Sequence, residues 1–143
     1  MLNFIENFLF KIDLNVVIIN KDADYNSVYL LKKGVAHADV TVDNVDEKCY
    51  FIGYQANTNN YITEFDLQRG PYFVPNLVGT NKKFDYNNIR GNNGQDTDKS
   101  VRVLLVGGSA ADSSAAGSGN FHSTWVRSVS DAGVGFFTTV KLD

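Results

Sequence analysis

Apolar residues along the chain fall mostly into short runs rich in Val, Ile, Tyr and Phe, each bounded by Asn, Asp or Gly, which is the pattern of strands. Residues 15–20 (Asn-Val-Val-Ile-Ile-Asn) read as a strand buried on both faces. The run at 101–106, stopped by Gly107-Gly108, reads as a central strand of the same kind. Residues 35–42 alternate, with Ala36, Ala38, Val40 and Val42 on one face, and residues 61–67 place Tyr61, Thr63, Phe65 and Leu67 together. With residues 48–54 between them, an acidic turn at 43–47 and an Asn-rich turn at 56–60, these three are expected to form a β-meander whose last two strands make a hairpin. Residues 25–33 fit either a helical turn or two or a strand, closed by Gly34. Pro71 and Pro75 bracket an extended piece suited to a sheet edge.

Two further strands are expected near the end of the chain, at 121–128 and 134–142; in the second, Val134, Phe136, Thr138, Val140 and Leu142 share a core face. Helical spacing occurs once, at 1–12, where Leu2, Ile5, Phe8, Leu9 and Ile12 line one side. The expected class is therefore α+β: a β-rich single domain at 15–143, preceded by a short amphipathic attachment helix within 1–14. The long Asn, Asp and Gly-rich stretch at 76–100 exceeds what a connector in a compact domain needs.

Composition narrows the picture. With 143 residues the chain can bury a core without metal or disulfide staples. A net charge of −3, with basic residues scattered, argues against a partner held by nucleic-acid phosphates. No apolar run is long enough for membrane insertion, and the start of the chain lacks the basic and apolar regions of a leader. Cys49 is the single cysteine and reads as a small strand hydrophobe, so neither an intrachain disulfide nor a cysteine metal cluster is expected. Asp22, Asp24 and Asn26 imitate the opening of a calcium loop, but Ser27 and Lys33 stand where its Gly and its closing Glu belong. No phosphate-cradling loop, nucleophile elbow or His-based metal spacing is present, and neither a cofactor nor an enzymatic activity is expected.

The small-residue segment at 109–120, flanked by strands, reads as a surface loop within one domain, the kind that commonly carries function. Arg102-Val103-Leu104, Gly107-Gly108-Ser109, Ala116-Gly117, Trp125 and Gly135-Phe136 together resemble the C-terminal half of the C-type-lectin fold. The likeness is to the variable proteins of diversity-generating retroelements and the formylglycine-generating enzymes. Ala110 and Phe137 depart from that pattern, which has Trp and Arg there. The resemblance implies a phage virion component, in a tail or head fibre, that attaches to a host through a loop diversified at adenine-rich codons. The codons implied are template Asn codons randomised at their adenines, which cannot yield Lys, Glu, Gln, Met or Trp; residues 109–135 contain none of the first four, and Trp125 would be an invariant scaffold position.

The expected ligand-binding residues are Ala110, Asp112, Ser113, Ser114, Asn120, His122, Thr124 and Arg127, adaptable polar groups beside aromatic anchors. The expected partners are a cell-surface protein or glycan and other virion proteins, with a homo-trimer implied by the phage members of the resembling family. The other reading left open is a structural decoration subunit of the virion without a receptor.

Overall fold

The computed structural model describes residues 10–20, 25–69, 72–80, 86–88, 101–106, 121–126 and 134–137. Its strands are β1 (Phe10–Ile19), β2 (Tyr25–Leu31), β3 (Cys49–Ala56), β4 (Asn60–Arg69), β5 (Tyr72–Gly79), β6 (Tyr86–Asn88), β7 (Val101–Val106), β8 (Phe121–Val126) and β9 (Val134–Phe137). Between β2 and β3 lie a 3₁₀ turn, His37–Asp39, and a single helical turn, α1 (Val45–Lys48). The domain is thus β-rich, with essentially no helix among the described residues.

The strands follow the order β3-β2-β1-β7-β8-β6-β4-β5, with β9 added in parallel beside the first residues of β1. Two antiparallel sheets, β3-β2-β1-β7-β8 and β6-β4-β5, are joined by a short parallel pairing of β6 with β8. The path curls until its two end strands, β3 and β5, lie against each other along a seam. Inside the curl, Val16 and Ile18 of β1, Val28 and Leu30 of β2, Ile52 of β3, Val74 of β5, Leu104 of β7 and Phe121 of β8 form one core.

β1 is buried on both faces, as its unbroken Val-Val-Ile-Ile run demands. Its other face, with Tyr29, Leu31 and Cys49, is covered by Val40 and Val45 of the 35–48 segment. That segment is held in shape locally. The Thr41 N–H donates to Asn44 Oδ1 at 2.7 Å, the Asn44 N–H donates to Thr41 Oγ1 at 3.2 Å, and Asn44 Nδ2 donates to Asp39 O at 3.0 Å. Lys32 Nζ donates to Glu47 O at 2.8 Å and pins α1 to the end of β2.

Both long strands on which the core rests carry irregularities. In β1, Asp13 pairs with Leu104 but Val17 pairs with the next residue back, Val103, so that Leu14, Asn15 and Val16 bulge out. Asp13 closes that bulge: its Oδ1 accepts the Asn15 N–H at 3.0 Å while its Oδ2 accepts the Tyr72 hydroxyl at 2.9 Å, tying β1 to β5. In β3, Ile52 is the extra residue, and Gly53 beside it has φ of 153°, a backbone state that residues with a Cβ rarely adopt.

Several expectations are corrected. The helical spacing of 1–12 fails where it can be seen: Phe10–Asp13 is strand, laddered to β7 on one side and β9 on the other, and a sequence period cannot register such two-sided pairing. Residues 35–42 are not a strand. Ala36 and Ala38, read as core-facing, are exposed, while Val40 and Val45 are buried; the segment is a cap over the sheet. The acidic stretch at 43–47 runs into α1. The meander fails too, since β3 pairs with β2, β4 pairs with β5 and β6, and no ladder joins β3 to β4 among the described residues. The ambiguity at 25–33 resolves as strand, and Gly34, with φ of 82°, ends it. Residues 101–106 are a central strand between β1 and β8, as their pattern requires.

Candidate functional site

The exposed large apolar side chains among the described residues are Tyr25, Phe51, Tyr54, Phe65, Phe73 and Leu77, between 40% and 55% exposed. All lie on β2, β3, β4 or β5, the strands on either side of the seam. The geometry follows from strand alternation. Ile52 and Val74 point into the shared core, so their chain neighbours Phe51 and Phe73 emerge on the outer surface, one on each side of the seam. Exposed apolar surface concentrated on neighbouring strands is the kind of surface that serves as an interaction site, and these strands are the candidate.

The two halves differ chemically. On the β2–β3 half the rings touch in sequence: Tyr25 to Tyr54 at 6.0 Å between centroids, Tyr54 to Phe51 at 4.8 Å, and Phe51 to the buried Tyr29 at 5.7 Å. Successive rings are tilted by 55°, 59° and 72°. Neither β2, β3 nor the turn at 56–60 contains a charged residue. On the β4–β5 half, Phe65 and Phe73 meet edge to face at 6.0 Å beside buried Pro75 and exposed Leu77. Charge is present there, with Glu64 accepting from Asn76 Nδ2 at 2.8 Å.

Beneath the ring row runs a buried amide chain. Asn26 Nδ2 donates to Gln55 Oε1 at 3.0 Å and to Ser123 Oγ at 3.3 Å, and Gln55 Nε2 donates to Asn87 Oδ1 at 2.7 Å. Asn87 Nδ2 then donates to the carbonyls of Ala56 and Thr58 at 2.8 and 2.9 Å, fixing the turn that follows β3. Asn87 and Gln55 are fully buried. A chain so paired stabilises the turn, because a buried amide stripped of one partner keeps its full desolvation penalty.

Of the residues expected to bind, His122 and Thr124 lie on β8, where His122 pairs through the backbone with Leu105 and with Asn88. Ala110, Asp112, Ser113, Ser114, Asn120 and Arg127 lie outside the described residues. The residues flanking 107–120, Val106 and Phe121, pair with each other, and Phe121 pairs in turn with Asn87. Asn87 therefore stands between that pair and the turn at 56–60, to which β6 is also laddered through Asn60.

The expected site and the ring row were not linked by sequence. One signal was present: in Tyr50-Phe51-Ile52-Gly53-Tyr54 no position is polar, although a half-buried strand should alternate.

The remaining reactive groups are engaged or buried. Burial pushes the Cys49 thiol up from its ordinary 9.0 to about 11, so it stays protonated and unreactive. His37 is buried and its Nε2 lies 3.1 Å from Val16 O; since a carbonyl can only accept, Nε2 carries the proton. Desolvation by burial lowers the Arg102 pKa. Among the described residues no three His, Cys, Asp or Glu side chains are grouped to hold a metal. The chain matches no protein family, no curated protein and no solved structure.

Proposed function

We propose that the chain is a non-enzymatic recognition domain of a virion, which attaches to a cell-surface protein or glycan through the aromatic face along the β3–β5 seam. The observation that carries this reading is that, among the described residues, the exposed large apolar side chains are confined to the four strands flanking one seam. The lectin-like organisation suggested by residues 101–136 belongs to the same reading.

The structural-subunit reading draws on the β4–β5 half, where Phe65, Phe73 and Leu77 present no hydroxyl and resemble the core of a protein contact. The two readings separate in one experiment. Fluorescently labelled chain is applied to a panel of bacterial strains and retention is scored by flow cytometry, with Phe51→Ser/Phe73→Ser alongside. Saturable retention on some strains, abolished in the double variant, is the expected result. No retention on any strain, together with concentration-dependent assembly that the same variant abolishes, would overturn recognition in favour of the structural subunit.

A further inference from the structure

Resting on that reading, we infer that the β2–β3 half of the face, Tyr25, Tyr54 and Phe51, binds a neutral, soluble glycan chain, and that the turn at 56–60 forms its polar rim. Three observations lead to this ligand class rather than to an acidic polymer or a protein.

The first is spacing. The centroid steps of 6.0 and 4.8 Å are each comparable to the length of one pyranose unit, so successive rings can meet successive sugars of an extended chain. The apolar C–H faces of a pyranose stack on aromatic faces, and its hydroxyls remain at the edge.

The second is charge. The two strands and the turn contain no Asp, Glu, Lys or Arg, so the row itself supplies no ionic partner; the neighbouring cation, Lys32, lies over Tyr50 rather than over the exposed rings. Two of the three exposed rings are phenols, and the turn adds Asn57, Thr58, Asn59 and Asn60 at the Ala56 end, which pairs with Tyr25. Hydroxyls and amides suit a ligand whose polar groups are hydroxyls. The β4–β5 half, with Glu64 and with only phenylalanines among its exposed rings, lacks this combination.

The third is tilt. Interplanar angles of 55° and 59° turn each ring away from the last, so the row follows a chain that twists and does not lie flat on a crystalline polysaccharide surface. Asn87 is then a positioning residue: its two bonds to Ala56 O and Thr58 O hold the rim at a fixed place relative to the rings.

The test is affinity electrophoresis of the full chain through native gels containing dextran, yeast mannan or hydroxyethylcellulose, with alginate as the acidic control and microcrystalline cellulose in a pull-down. Retardation by at least one neutral soluble polymer is expected, without retardation by alginate and without binding to microcrystalline cellulose. Tyr54→Ala should weaken that binding on the order of tenfold or more, as for a central aromatic anchor. Asp43→Ala, exposed in the 35–48 cap and outside the aromatic face, should leave it unchanged. Asn87→Ala should weaken it less than Tyr54→Ala does, and amide exchange at Asn57–Asn60 should accelerate. Absence of retardation by any neutral polymer, retardation by alginate alone, or retardation indifferent to Tyr54→Ala would each overturn the glycan assignment. If cells still retain the chain through the seam in that case, recognition stands and only the ligand class fails.

Discussion

The outer face of the β2–β3 pair has two ends made of similar residues and treated in opposite ways. At one end Tyr29, Leu31 and Cys49 are sealed beneath Val40 and Val45. At the other, Tyr25, Phe51 and Tyr54 stand in solvent, although Phe51 packs directly on Tyr29. The cap built from residues 35–48 stops at Phe51. Leaving a large ring half exposed forgoes roughly 1 kcal/mol compared with full burial, so several such rings amount to a sizeable fraction of the stability of a small domain. The covered end serves folding; the bare end leaves its apolar surface exposed, as the proposed recognition face requires.

That contrast is broken most severely from the covered side. Leu31→Ala should remove about 3 kcal/mol of stability in urea unfolding, since Leu31 is sealed between sheet and cap and the cavity cannot collapse freely. Next comes Asn87→Ala, which strands Gln55 Nε2 and two backbone carbonyls and should lower stability by about 2 kcal/mol. A loss below ~0.5 kcal/mol for Asn87→Ala would mean that the amide chain does not hold the turn.

Smaller effects sharpen the boundary. Cys49 lies at the covered end, and its folded pKa of about 11 stands above the ordinary 9.0. Above pH 9 the unfolded chain loses this proton while the folded chain keeps it. The contribution is therefore complete below about 9 and is lost as pH rises toward 11. The urea midpoint should fall across that window, and Cys49→Ala should remove part of the fall. A thiol reagent at pH 8 should label Cys49 slowly in the folded chain and promptly in urea; equal rates would place the thiol at the surface.

How much of this could be read in sequence depends on whether a residue's partners are local. The unbroken Val16–Ile19 and Val101–Val106 runs identified the two central strands, because burial on both faces leaves no polar alternation to obscure. Gly34 was legible as a stop for the same local reason. The 35–48 cap was not: Val40 fits a strand period as well as a cap, and only Val16 O, receiving His37, and the Thr41–Asn44 exchange decide it. The seam was hidden entirely, since β3 and β5 meet only after six other strands intervene in the ladder. Attention therefore fell on the small-residue segment, most of which lies outside the described residues, while Phe51 and Tyr54 were read as ordinary strand positions and Tyr25 as the start of a helical turn or strand.

The comparison between the two ends is tested most directly by the urea unfolding of Phe51→Ser/Tyr54→Ser beside the wild-type chain. If the bare end is kept for a partner, the free energy of unfolding falls by no more than about 2 kcal/mol, roughly what the buried halves of two rings contribute, and retention on cells is lost. A loss of about 3 kcal/mol or more would contradict the account and make Phe51 and Tyr54 part of the fold's own packing.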